Sequence, residues 1–203
     1  MNTYKSIANA GVGIYEEKKS EFIGYAFPVE TEEDAVARIQ EIKKKHPDAR
    51  HHVYAYVLRD QNKSRYTDDG EPSGTAGMPV LDCIKKADLT DCVVIVIRYF
   101  GGTLLGTGGL VRAYTAAASS ALNDGEIVTY RMMQRAEVVV SYTDYQKLLP
   151  LLSPLPIDST DFGSDVRVCF HLPVEEIDGI LSKMTDITSG RAQTKQTEIF
   201  FGK

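Results

Sequence analysis

Apolar and polar positions alternate from Phe22 to Val29, where Phe22, Ile23, Tyr25, Phe27 and Val29 follow a charged lead. This predicts a strand in the second half of residues 14–29. The period then lengthens. Ala35, Val36, Ile39 and Ile42 recur at helical spacing behind Thr31 and Asp34, the start of a capping box, and Lys43-Lys44-Lys45 closes the segment before His46-Pro47. Acids at the front and lysines at the back of that helix complement its dipole. His51–Leu58 alternate again and predict a second strand, with Gln61-Asn62-Lys63 as a hairpin turn into Ser64-Arg65-Tyr66.

Pro79 suits the first turn of a second helix, with Val80, Leu81, Ile84 and Ala87 on its apolar face. The near-continuous apolar run 92–97 then reads as a strand that is central or buried on both faces. From Leu110 a third helix carries Ala113, Ala116, Ala117, Ala118 and Ala121, small residues that permit close approach to a sheet. It stops at Asn123-Asp124-Gly125.

Beyond a connection expected over Gly125–Arg135, in which Ile127–Tyr130 could alternatively finish the first sheet, the order becomes strand from Ala136, helix Asp144–Ser153, strand near Pro156–Thr160, turn 161–164, strand VRVCFHL, helix Val174–Thr185 and strand AQTKQTEIFF. That is βαββαβ, the pattern of a ferredoxin-like domain. The expected division is therefore one domain over 1–130 and a ferredoxin-like one over 136–203, in a mixed α/β (α+β) chain.

Two turn-rich loops stand out. Residues 101–109 hold five glycines, Gly101, Gly102, Gly106, Gly108 and Gly109, between the strand ending in Arg98-Tyr99-Phe100 and the Leu110 helix. A strand, a glycine-rich turn and a helix start make an anion site, because the first-turn amides are unpaired and the dipole favours negative charge there. Arg98 and Arg112 would add guanidinium forks. The other loop, 68–79, carries Asp68, Asp69, Gly70, Glu71, Gly74 and Thr75. Both loops leave strand-like segments and enter helix starts, so they are expected at one edge of the sheet, sharing a cleft. Tyr99 and Phe100 offer rings for stacking on bases, or else pack at the strand end. His51 and His52, adjacent on a strand, point to opposite faces and do not easily serve one metal; one of them can face the acidic loop.

Composition adds limits. With 43% hydrophobic and 25% charged residues the chain is an ordinary globular one, and no apolar run reaches the roughly 18–20 residues a membrane span needs. The N-terminus has no signal-peptide core. Cys83, Cys92 and Cys169 form no CxxC pair, which fits reduced thiols in a cytoplasmic protein. Net charge is −5, with 15 basic against 18 acidic residues up to Tyr130. Nucleic-acid binding would thus depend on a local patch.

Enzyme motifs are sparse. No GK[ST] follows the glycine loop, the GxGxxG spacing fails at Val111, and no Ser-His or Cys-His pair sits at motif spacing. No cofactor or metal is indicated. Asp68, Asp69 and Glu71 could still act as acid and base, or hold a metal, beside a phosphorylated or carboxylated substrate.

Taken together, KKSEF at 18–22, ARHHVYAY at 49–56, DDGEPSGTAGMP at 68–79 and VIRYFGGTLLGTGGLVRAY at 96–114 closely resemble the Impact family, in particular its bacterial two-domain, YigZ-type members. The resemblance runs over nearly the whole chain. It implies an Impact domain folded like the second domain of ribosomal protein S5, followed by a ferredoxin-like domain, a pair similar to domains IV and V of elongation factor G. Eukaryotic relatives act in translational control through the activator of an initiation-factor kinase, using an additional RWD domain that these 203 residues do not contain. The expected function is a regulatory binding module that contacts RNA, the ribosome or a translation-associated protein through the two glycine loops, with an enzyme acting on a small phosphorylated or carboxylated substrate in the same cleft as the alternative.

Overall fold

The computed structural model describes residues 2–60 and 63–203. Two compact units result: Tyr4–Thr129, and Tyr130–Lys203 together with the N-terminal residues up to Thr3. Gln61 and Asn62 of the expected hairpin turn lie outside the described residues.

The first unit is built on a five-stranded antiparallel sheet. Its strands follow β1 (Thr3–Ile7) and comprise β2 (Gly11–Glu17), β3 (Ser20–Pro28), β4 (His51–Leu58), β5 (Lys63–Thr67) and β6 (Cys92–Tyr99). They lie in the order β2-β3-β6-β4-β5. Lys18 and Lys19 join β2 to β3 with φ of 49° and 65°. Two central residues with positive φ form a tight hairpin turn matched to strand twist, usually made by Asn-Gly. A Lys-Lys pair hides that signal, and the charged lead before Phe22 is in fact a strand of its own.

Central β6 explains the unbroken apolar run. Side chains alternate along a strand, and Val93, Ile95 and Ile97 pack beneath α1 (Glu32–Lys45), while Cys92, Val94 and Val96 pack under α2 (Gly77–Lys86) and α3 (Gly106–Asp124). Both faces are thus covered. Helix α1 starts at the capping box of Thr31 and Asp34, ends on Lys43–Lys45, and buries Ile39 and Ile42, each worth about 1.5–3 kcal/mol on burial.

Helix α3 starts four residues earlier than the pattern predicts, because Gly106, Gly108 and Gly109 form its first turn and are not loop. Glycine costs about 1 kcal/mol against alanine in a helix, so propensity argues against it; burial of Gly109 and Leu110 against the sheet overrides it. Along its length α3 lies directly on glycines. An ideal Cβ on Gly24 would stand 2.5 Å from the Ala117 carbonyl oxygen, and one on Gly13 2.5 Å from the Ala121 nitrogen.

The 125–135 segment is not a linker. Ile127–Val140 form one 14-residue strand, β7. With β8 (Ile157–Phe162), β9 (Val166–Pro173) and β10 (Gln193–Gly202) it makes an antiparallel sheet in the order β10-β7-β9-β8. Helices α4 (Tyr142–Leu152) and α5 (Val174–Ile187) pack Leu148, Leu152, Ile177, Leu181 and Met184 on the side chains of Ala136, Val138, Val168 and Phe170. This is the ferredoxin-like arrangement. Among the described residues no helix is long and apolar enough to cross a membrane.

Asp144 ties this unit together. It accepts Arg191 Nε and Nη2, each at 2.8 Å, and Lys147 Nζ at 2.9 Å, and these bonds hold its carboxyl well below the ordinary 3.8. A depressed carboxyl contributes stability that is fully present above the ordinary value and is lost as pH falls through the folded-state one. Acidification below about pH 4 should therefore weaken the second unit through this group. Asp144→Asn should have a lower Tm at neutral pH and a smaller fall in Tm between pH 5 and pH 3; an unchanged fall would refute the assignment.

Candidate functional site

In register across three strands, Phe22 on β3 and His51 on β4 flank Arg98 on β6. All three lie toward the α2 and α3 side, since Arg98 continues the alternation of Cys92, Val94 and Val96. Over this row comes Glu71. Arg98 Nη1 donates to Glu71 Oε1 at 2.6 Å, and the Tyr114 hydroxyl from α3 donates to the same oxygen at 2.8 Å. The ion pair is buried, with side chains 6% and 4% exposed. The Arg98 guanidinium carbon lies 5.4 Å from the ring centroids of both Phe22 and Phe100, in cation-π range. Burial, then the charge of Glu71, pushes the Tyr114 hydroxyl far up, so it remains a donor. His51 Nδ1 lies 2.8 Å from the Asp69 carbonyl, which only accepts; that nitrogen therefore carries hydrogen and Nε2 turns toward Glu71 Oε1 at 3.8 Å.

The acids of the 68–79 loop are spent on folding it. Asp68 Oδ1 accepts the amides of Ala76 and Gly77 at 3.1 and 2.8 Å, and Oδ2 accepts that of Gly74 at 2.9 Å. This closes the N-terminus of α2. Asp69, with φ of 44°, accepts the His52 amide at 2.6 Å, and Thr75 donates its hydroxyl to the Pro72 carbonyl at 2.7 Å. Only Glu71 reaches inward.

Helix α3, like α2, has no side-chain hydrogen bond from its own N-cap residue, Leu105, and no acid in its first turn. It differs in that, among the described residues, no side chain from elsewhere accepts its first amides as Asp68 accepts those of α2. Gly106 turns into the helix with φ of 71°, a left-handed conformation that favours glycine. Beside this terminus is a cavity of about 370 Å³. Its polar lining comes from Arg50, His51, Glu71, Arg98 and Thr107, and its apolar lining from Pro72, Phe100, Leu104, Leu105 and Leu110. Phe100 and Leu104 are 43% and 83% exposed.

Of the residues proposed from sequence, Gly70, Glu71, Arg98 and Gly106 line this cavity, so the two loops do share it. Asp68, Asp69, Gly74 and Thr75 build the loop behind. Gly101 and Gly102 lie on the connecting segment without lining it; Gly101 is pressed on the Lys19 backbone, where a Cβ would come within 2.0 Å. Gly108 and Gly109 lie further into α3 and are not part of the lining. Two candidates sit elsewhere. Tyr99, one residue past Arg98, faces the α1 side, and its hydroxyl is 2.8 Å from His46 Nδ1. Arg112 is 69% exposed on α3, 3.6 Å from Glu17. Lys85 and Lys86 occupy the last turn of α2 and do not line the cavity. Sequence reading missed Arg50, Leu104, Leu105 and Thr107. For Arg50 no local sequence signal existed, because the return of the 68–79 loop beside β4 is what brings it to the cavity. Among the described residues Arg50 forms no ion pair, and no cluster of His, Cys, Asp or Glu is arranged to hold a metal ion.

Residues 18–122 match the Impact N-terminal domain model, and residues 138–191 match a domain of unknown function, DUF1949. The chain is 34% identical to the IMPACT family member YvyE of Bacillus subtilis, over 99% of this chain and 94% of that protein. The chain belongs to the IMPACT family. Another IMPACT family member, YigZ of Escherichia coli, is 34% identical over 92% of this chain and 95% of its own length. A solved structure of a hypothetical protein has the same fold, with a TM-score of 0.63, 30% identity and 98% of each chain covered. Every residue lining the cavity falls inside the Impact N-terminal match.

The thiols of this IMPACT family member are unpaired. Burial pushes Cys92 up to about 12 and raises Cys83 as well, so neither is a ready nucleophile. Replacing Cys83, Cys92 and Cys169 by small residues is expected to leave the fold and any ligand affinity intact. A folded triple variant with altered ligand affinity would contradict this.

Proposed function

We propose that the chain is a regulatory binding protein associated with translation, and that the cavity at the start of α3 takes an anionic group of RNA, free or in the ribosome. The supporting observation is the contrast between two helix starts: Asp68 closes that of α2, whereas that of α3 is uncapped and opens beside Arg50. Unpaired amides and an unpaired guanidinium together favour a phosphate oxygen. Phe100, exposed at the rim and backed by Arg98, suits base stacking, which is worth about 1–3 kcal/mol per base.

Arg98 is not the phosphate contact in this reading, because Glu71 already neutralises it. Arg50→Ala should weaken binding to single-stranded RNA and reduce the salt slope by about 0.7, the value for one phosphate contact on a single strand. Arg112→Ala should change little. Filter binding over a salt series, with ribosome co-sedimentation alongside, tests this. Parental affinity and slope in Arg50→Ala would remove the cavity from RNA recognition.

A second reading, an enzyme on a small phosphorylated or carboxylated substrate, is favoured by His51 Nε2 facing Glu71 within the same cavity. There His51 would be the acid and base. Under that reading His51→Gln abolishes turnover and leaves RNA affinity unchanged.

A further inference from the structure

Strand β8 closes one side of the second unit's sheet, and its outer rim has no strand beside it. His171 on β9 donates its amide to the Pro156 carbonyl at 3.3 Å, and Gly163 donates to the Asp165 carbonyl at 3.0 Å. Backbone groups alternate in direction along an antiparallel ladder. Ser159 and Asp161 therefore bond across to Cys169 and Arg167, while the amides and carbonyls of Thr160 and Phe162 face outward. The irregularity of this pair lies between Ile157 and Ser159, so the rim over 159–162 is regular. A bare rim is a template for another strand, and edges are commonly blunted by lysine or proline. Within Ile157–Phe162 there is neither at an outward position.

The two faces of this edge differ. On the helix side Phe162 stacks on Tyr142 with ring centroids 6.3 Å apart and meets Tyr145 edge-on at 5.7 Å, both from α4. Leu149 continues that stripe of α4 one turn past Tyr145, and Ile157, opposite the core residue Phe170, continues the strand's own row. Tyr142, Leu149, Ile157 and Phe162 are all exposed, Phe162 by 61%. The other face is acidic. Asp158 is bonded to Arg135 and His171, but Asp161 and Asp165 form no ion pair among the described residues, and Arg167, across from Asp161, pairs with Glu137 instead. We propose that the β8 edge docks an extended basic segment of a partner protein, which joins the sheet as a further strand. Main-chain hydrogen bonds to Thr160 and Phe162 hold it, its alternate apolar side chains enter the strip between β8 and α4, and lysine or arginine between them meets Asp161. A second copy of this chain is a poor occupant, because antiparallel self-pairing sets the aspartates of one edge against those of the other, and like charges directly opposite are destabilising. None of these residues lines the cavity, and the site does not rest on the RNA reading.

The test titrates the isotope-labelled full chain with a capped heptapeptide of alternating lysine and valine, with its glutamate and valine counterpart, and with a version whose central valine is proline. The lysine peptide is expected to shift the β8 amide resonances and, at saturation, to slow hydrogen exchange at Thr160 and Phe162 about tenfold or more. The glutamate peptide should bind about tenfold more weakly, with cross-strand charge pairs turned from attractive to repulsive, and the proline version should bind more weakly too. Thr160→Pro removes an outward donor, which an edge strand tolerates, and should lose the peptide while circular dichroism is unchanged. Asp161→Lys is the second arm, informative even if the proline variant does not fold: it should reverse the preference, so that the glutamate peptide binds better than the lysine one. No binding of the lysine peptide, shifts confined to residues away from β8, or equal affinity for the two charged peptides would overturn the proposal. So would protection of Thr160 and Phe162 that grows with protein concentration in the absence of peptide, the sign of a second copy on the edge.

Discussion

Glu71→Ala is expected to destabilise the first unit by about 3–5 kcal/mol, because it strands the Arg98 guanidinium in a site that is almost closed to water. The loss has two parts. Arg98 keeps its charge at any accessible pH, so it cannot escape the cost by neutralising, and the Tyr114 hydroxyl loses its acceptor in the same step. Rotation to solvent is opposed by Phe22 on one side and Phe100 on the other. Chemical denaturation should show a lower midpoint with an unchanged slope. The companion experiment separates charge from packing: combining Glu71→Leu with Arg98→Met removes both charges at similar volume, and should recover most of the stability. A Glu71→Ala protein as stable as the parent would mean that the pair is hydrated in solution and does not hold the loop. On the RNA reading proposed above, recovery of stability without recovery of RNA binding would assign the pair to function rather than to folding.

Elements with a plain period were legible before the structure. The capping box of α1, the two-faced strand β6 and the βαββαβ order of the second unit each follow from side-chain spacing alone. Long-range compensation is what sequence hides. Lys18-Lys19 turns a hairpin without a turn residue because seven register pairs between β2 and β3 hold it. The first turn of α3 tolerates three glycines because sheet contacts, and not propensity, decide its start. The two loops were expected to share a cleft and do, yet the acids were assigned too freely. Asp68 and Asp69 belong to amides at 2.6–3.1 Å, and those partners lie 6 to 17 residues away. Arg98 and Tyr99 were paired in one site, although neighbours on a strand must point to opposite faces. Arg50 carries no local pattern at all; only the return of the 68–79 loop beside β4 brings it to the cavity.

The glycines of the first unit do two different jobs, and Gly24→Val separates them. At Gly24 the obstacle to a side chain is backbone, with the Ala117 carbonyl oxygen at 2.5 Å and its carbon at 2.9 Å from an ideal Cβ. Neither atom can swing aside, so a valine must lift α3 from the sheet. Overpacking of this kind costs about 1–3 kcal/mol, and occasionally more. Stability is the smaller consequence. The same helix carries Gly106 and Thr107 at the cavity, and α3 is one continuous helix of 19 residues, so a shift at Ala117 is expected to reach its first turn. On the RNA reading proposed above, Gly24→Val should therefore lose RNA binding at temperatures where circular dichroism still reports a folded protein. Gly190→Ala is the control. Gly190 has φ of 80° with open space around its Cβ position, so alanine there incurs only left-handed strain of about 1–2 kcal/mol, in the second unit. Matched destabilisation with RNA affinity lost in Gly24→Val and kept in Gly190→Ala is the outcome expected if the glycine bed under α3 sets the geometry of the binding cavity. Equal affinity in the two variants would show that the cavity tolerates a displaced helix, and would shift the binding role from the α3 amides to Arg50 and Phe100.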